Sequence, residues 1–185
     1  EGTYEFTNGR YFAKLPYSNV VSIMGVILFN PNQSYDINDP DLKTILSIRS
    51  KRAATNPGAL GVLVNGYVDV KDYDQIDECI LEENLLRETE EESYLTIENI
   101  SNIEFIGPSQ TRGFSCDLAW ILLTNLSYEM WVKKWIERGG QEESRGIFPI
   151  KISEINRINK LEQKIKLISK DGILSNGLRK DLEGG

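Results

Sequence analysis

Residues 77–92, Asp-Glu-Cys-Ile-Leu-Glu-Glu-Asn-Leu-Leu-Arg-Glu-Thr-Glu-Glu-Glu, hold eight acidic side chains and one basic one, with neither glycine nor proline among them. Strong helix formers dominate, and the run from Asp77 to about Ser93 predicts a helix. That helix is electrostatically costly. Glu78 with Glu82, and Glu88 with Glu92, are like-charge pairs at i,i+4, each destabilising by roughly 0.2–0.5 kcal/mol. Acids near the C-terminal end also oppose the helix dipole. The whole chain carries a net charge of -7, the same as this segment alone, so the remainder is balanced. A bound cation would offset the cost. Glu88, Glu91 and Glu92 stand at i, i+3 and i+4, a spacing that predicts carboxylates converging within reach of one hard metal such as magnesium. On charge alone, a solvated acidic face is the competing reading.

Strand signals surround this helix. Tyr4 to Phe6 and Tyr11 to Leu15 flank Asn8-Gly9, a hairpin turn signal. Val20 to Phe29 is β-branched and nearly all apolar, as a central strand covered on both faces should be. Leu42 to Ile48 resumes a strand and runs into the basic cluster Arg49-Ser50-Lys51-Arg52. Leu60 to Val64 and Tyr67 to Val70 are strand-like, with Asn65-Gly66 read as a turn between them. Ile103 to Pro108, Leu118 to Leu123 and Gly146 to Ile150 are further strands. Tyr128 to Arg138 predicts a short helix ended by Gly139-Gly140, and Ser153 to Lys170 repeats at helical spacing. Strands, helix, strands, helix is the order of an α+β fold with a mixed sheet sandwich flanked by helices. The 185 residues, with no linker or repeat, are expected to form a single domain over 1–185.

Several chemistries are excluded at once. The chain has no histidine, which removes Ser-His-Asp and Cys-His catalysis and histidine metal sites. Two cysteines, Cys79 and Cys116, are too few for a disulfide framework and are expected to be small buried residues. The acidic balance does not draw the chain to nucleic acid or anionic lipid. The longest apolar run is about half of what a bilayer requires, so no membrane span is expected. What remains is chemistry by carboxylates, amines, hydroxyls or a metal held by oxygen.

Arg87-Glu88-Thr89-Glu90-Glu91-Glu92, following a glycine-bearing strand, resembles the Nudix box of the Nudix hydrolases. The family pattern reads Gly, five residues, Glu, seven residues, Arg-Glu, an apolar residue, any residue, Glu-Glu, any residue, Gly and an apolar residue. Arg87, Glu88, Glu91, Glu92 and Leu95 match its core, and Val64-Asn65-Gly66 keeps the final glycine of the stretch that opens it. Counting back from Arg87 puts Cys79 and Tyr73 where the pattern wants Glu and Gly. Counting forward from Gly66 puts Asp72 in the Glu slot and requires about seven extra residues before Arg87. Tyr94 stands where the last glycine belongs, and Thr89 is less apolar than usual.

The resemblance implies a Nudix-like fold and a magnesium- or manganese-dependent hydrolase of nucleoside diphosphate derivatives. By it, Glu88 and Glu92 are the main metal ligands, Glu91 joins them, and the Gly66 carbonyl completes the site. Arg87 becomes the orienting residue, with Glu83 at i−4 as its expected ion-pair partner. Glu142 and Glu143, in the loop Gly139 to Ser144, resemble the loop glutamate of ADP-ribose-type members and are the candidates for the general base; a plain polar loop competes with that reading. Arg49, Lys51 and Arg52 are candidates for phosphate contact. Trp131 and Trp135, at i,i+4, read as core more readily than as a base-stacking pair.

ADP-ribose or an ADP-sugar is the expected small-molecule substrate, with capped RNA as the runner-up. Two other classes stay open: a Nudix-like module that binds nucleotide without hydrolysing it, and an interaction protein whose acidic helix docks a basic partner. The expected compartment is the cytoplasm. The chain opens at Glu1, so a trimmed targeting segment is the competing expectation.

Overall fold

The computed structural model describes residues 4–7, 10–13, 21–30, 36, 39, 42–49, 60–68, 78–110, 116–140, 144–155 and 173–174. Strands β1 (Tyr4–Thr7) and β2 (Arg10–Ala13) pair antiparallel as the Asn-Gly signal predicts, and form a two-stranded sheet of their own. Among the described residues the main sheet has eight strands. Its path runs β10 (Ile173–Leu174), β9 (Ser144–Lys151), β4 (Lys43–Arg49), β3 (Val21–Phe29), β8 (Cys116–Thr124) and β7 (Ile100–Gln110). β5 (Leu60–Val62) adds to β4, and β6 (Val64–Tyr67) adds to β3. Among the described residues only the β3–β8 ladder is parallel, so the sheet is mixed.

The strand pleat sorts the apolar residues onto two faces. Ile23, Ile27 and Phe29 of β3, with Trp120 and Leu122 of β8, face the larger core, which Leu85 of helix α1 (Glu78–Ser93) and Trp131 and Trp135 of helix α2 (Tyr128–Glu137) complete. Leu28 and Leu123 face the other way, into a smaller cluster with Leu42 and Ile152 of the short helix α3 (Ile152–Ile155). Helices thus flank the sheet on both sides. β3 lies at the junction because nearly every residue in it is apolar, which suits a strand covered on both faces. Of the predicted helix over 153–170, residues beyond 155 lie outside the described residues.

The sequence misplaces one element. Asn65-Gly66 is not a turn: both residues lie within β6, where Asn65 pairs with Met24 and Gly66 with Ile23. The bend is at Leu63. β5 ascends beside β4, the chain bends, and β6 descends beside β3. β3 and β4 pair directly only at Leu28–Thr44 and Phe29–Lys43, and below that the β5–β6 fork separates them. No described helix is long and apolar enough to cross a membrane.

Candidate functional site

The fork fixes which parts of the chain meet. At its open end lie the start of β3, the end of β4, the start of β5, the end of β6, the end of β7, and the starts of β8 and β9. The register shows this directly: Ser22 pairs with Tyr67 and with Asp117, Ile48 with Leu60, Arg49 with Ser144, and Gln110 with Cys116. The Ser22 hydroxyl donates to the Asp117 carboxylate across this end. Arg49 is therefore the direct neighbour of the residue that follows Glu142 and Glu143, at a register shift between Ile48 and Arg49. Its Nε is buried and has no hydrogen-bond partner among the described residues. Lys51, Arg52, Asp72, Glu142 and Glu143 lie outside the described residues.

Helix α1 packs over β6, where Gly66 faces the Glu88 side chain. A Cβ added at Gly66 would fall on the Glu88 carboxylate. Any Cβ there would displace the Glu88 side chain from its position, so the glycine serves clearance and not a turn. The Glu88 side chain is 12% exposed and the Glu91 side chain 58%. Arg87 bridges the two: Nη2 lies 2.7 Å from Glu88 Oε1, and Nη1 lies 3.2 Å from Glu91 Oε2. Asn84 Oδ1 accepts a further bond from Arg87 at 3.3 Å. Partial burial pulls the Arg87 pKa down, but the Glu88 and Glu91 carboxylates more than offset it and hold the guanidinium above its ordinary value. The expected Glu83 partner is replaced by Glu88 and Glu91. Glu83 is exposed on the outer side, whereas the guanidinium folds toward the carboxylate held against β6.

The face of α1 that meets the core carries polar side chains that satisfy themselves. Thr89 Oγ1 donates to Leu85 O at 2.6 Å, Ser93 Oγ to Thr89 O at 2.5 Å, and Asn84 Nδ2 to Ile80 O at 2.9 Å. Thr89 is fully buried, so back-bonding to the preceding turn lets it fill an apolar slot. Tyr94 just beyond the helix adopts φ 57°, and its N–H donates to Glu90 O at 2.9 Å. The left-handed geometry that normally favours glycine after a helix is therefore kept by a tyrosine. Its ring sits 5.7 Å from the Arg138 guanidinium.

No protein-family model and no curated protein matches the chain. Solved structures do. Shewanella oneidensis NrtR superposes with a TM-score of 0.50 and 18% identity, over 82% of this chain and 61% of that one, so the chain spans about three fifths of the NrtR chain. A mutT/nudix family protein from Listeria innocua gives 0.48 and 19% over 85% of this chain and 97% of that one. The NUDIX domain of NrtR complexed with ADP ribose gives 0.38 and 20%, over 60% and 62%. The fold is Nudix-like.

The donors around Glu88 are of the kind a hard divalent cation takes. They are oxygens only, and the Cβ-free position at Gly66 lets the Glu88 carboxylate lie against β6. The simple convergence predicted from i, i+3, i+4 spacing is corrected. Among the described residues no three Asp, Glu or Cys groups gather around one point. Like carboxylates repel, and Arg87 is the cation that Glu88 and Glu91 reach.

Two further expectations are resolved. Cys79 is exposed and not buried, because it falls on the outer side of the first turn of α1; the Cys116 side chain lies outside the described ones. Trp131 and Trp135 are core residues, each 1% exposed, and not a stacking pair at the fork. Their indoles also bond to the end of α1. Sequence reasoning missed that link, because the i,i+4 spacing shows a shared face but not what that face meets.

Proposed function

We propose that the chain is a divalent-cation-dependent hydrolase that cleaves the diphosphate linkage of a nucleoside diphosphate derivative. The observation that supports it best is the Gly66–Glu88 approach, in which a glycine is retained on β6 where any Cβ would displace the carboxylate of the Arg-Glu pair. In this reading magnesium or manganese is held by Glu88, Glu91, Glu92 and the Gly66 carbonyl. When bound, the cation supplies charge neutralisation of the diphosphate and acidification of the attacking water. Arg87 holds Glu88 and Glu91 in place by charge-assisted hydrogen bonds. Arg49, with its buried Nε unpartnered among the described residues, meets a phosphate together with Lys51 and Arg52. Glu142 or Glu143, entering from the strand end beside Arg49, accepts the proton from water.

The substrate favoured is ADP-ribose or a related ADP-sugar, which water would split at the diphosphate into a nucleoside monophosphate and a sugar phosphate. Its support is the loop bearing Glu142 and Glu143, whose strand end the register brings to the fork beside Arg49. The test is turnover of a panel of nucleotide diphosphates, ADP-ribose and capped RNA included, with and without magnesium. Glu92→Gln should abolish turnover and weaken manganese binding, with thermal stability unchanged or raised in metal-free buffer. Wild-type turnover by Glu92→Gln sinks the proposal.

A second reading, a domain that binds nucleotide without hydrolysing it, draws on the ion pairs that engage Glu88 and Glu91 with Arg87. It predicts a calorimetric binding signal for a nucleotide diphosphate with no product under any divalent cation.

A further inference from the structure

The last turn of α1 bears Glu90, Glu91 and Glu92 and has no basic residue. The final carbonyls of a helix have no partner within it and form the negative end of its dipole. Here two are met from outside the helix. Trp131 Nε1 donates to Ser93 O at 2.8 Å and Trp135 Nε1 to Glu92 O at 3.3 Å. The two donors lie one turn apart on the same face of α2, with ring centroids 5.9 Å apart. Both rings are almost wholly buried, so water does not compete for the two indole donors. Trp135 is fixed on its far side as well: a Cβ at Gly140 would overlap its ring.

The geometry points to Trp131 and Trp135 as positioning residues for the cation site: their indole N–H groups set the backbone of Glu92 and Ser93, and through it the directions of the Glu91 and Glu92 carboxylates. This rests on the proposed metal reading of α1. The indoles supply donors where a lysine or arginine would ordinarily stabilise a helix end. A lysine or arginine there would place its charge beside the carboxylates and compete with the cation. A neutral donor meets the carbonyls without that competition.

The test replaces the donor and keeps the ring. 3-Benzothienylalanine at position 135, and separately at 131, exchanges the indole N–H for sulfur at nearly constant shape. Manganese affinity is read by titration calorimetry or electron paramagnetic resonance, well below the melting temperature of every variant. Loss of one hydrogen bond to the metal-bearing turn should weaken manganese binding about two- to tenfold, and lower kcat with little change in KM for the nucleotide. Val132→Ala is the control, since it removes core packing from the same helix without removing a donor. It should lower stability and leave manganese affinity at the wild-type value.

Unchanged manganese affinity in both benzothienylalanine variants overturns the proposal and leaves the indoles a structural role. An equal loss in Val132→Ala also overturns it, because general loosening would then explain the effect. If wild-type protein binds no manganese at all, the metal reading itself fails and the positioning role falls with it. That outcome is distinct from a wild type that binds while the variants bind equally well.

Discussion

Gly66→Ala separates clearance from conformation at the proposed site. Gly66 has no left-handed φ, so alanine meets no backbone penalty there, and replacing a strand glycine ordinarily stabilises by roughly 0.5–1 kcal/mol. Its Cβ, however, would fall on the Glu88 carboxylate, the far end of a flexible side chain. Glu88 can swing away, but at two costs. An off-rotamer side chain costs of order 0.5–1.5 kcal/mol. The Arg87–Glu88 pair, solvent-exposed on the arginine side, is worth about 0.2–1 kcal/mol. Set against alanine's gain, the net runs from about zero to about 2 kcal/mol of destabilisation, centred near about 1 kcal/mol, or roughly 2–4 °C in melting temperature for a chain of this size. In a Glu88→Ala background both costs vanish and the sign reverses, with Gly66→Ala stabilising by roughly 0.5–1 kcal/mol. Urea unfolding of the four proteins with a common m-value measures the coupling. Manganese titration of Gly66→Ala should show lost affinity in a folded protein. Equal stability changes in the two backgrounds refute the clearance explanation, and wild-type manganese affinity in Gly66→Ala refutes its link to the site.

Tyr94→Ala should destabilise more than Tyr94→Gly by about 1 kcal/mol, because alanine keeps the left-handed strain and loses the ring, whereas glycine removes the strain; chemical unfolding decides it, and the reverse order would show that φ is not what Tyr94 pays for. Cys79 should react with a thiol reagent in the native protein, with turnover retained, since it lies more than two helical turns before Glu88; no reaction without denaturant would contradict its exposure. The double substitution Glu142→Gln with Glu143→Gln should lower kcat about 10²–10⁴-fold with manganese affinity unchanged, and retention of more than about a tenth of the wild-type kcat would remove this loop from the proton transfer.

Much of the architecture was written in local patterns. The hairpin of β1 and β2, the apolar run of β3 and the glycine-free acidic run of α1 each follow from neighbouring residues, because turn chemistry, pleat alternation and helix propensity act over a few positions. The box residues Arg87, Glu88, Glu91 and Glu92 were legible for the same reason, since one helix places them. What sequence could not decide depends on contacts between distant segments. Asn65-Gly66 carries the local signature of a turn, yet it lies in β6, where pairing with β3 satisfies its backbone and the missing Cβ makes room for a carboxylate 22 positions later. Arg87 pairs with Glu88 and Glu91 and not with Glu83, because the Glu88 carboxylate is held against β6 within its reach. Tyr94 departs from the glycine pattern, but the backbone keeps glycine's geometry, with the Arg138 guanidinium over its ring. Trp131 and Trp135 announced a buried face by spacing alone. Only the packing of α2 against α1 decided that this face would end in two indole donors on the carbonyls of Glu92 and Ser93.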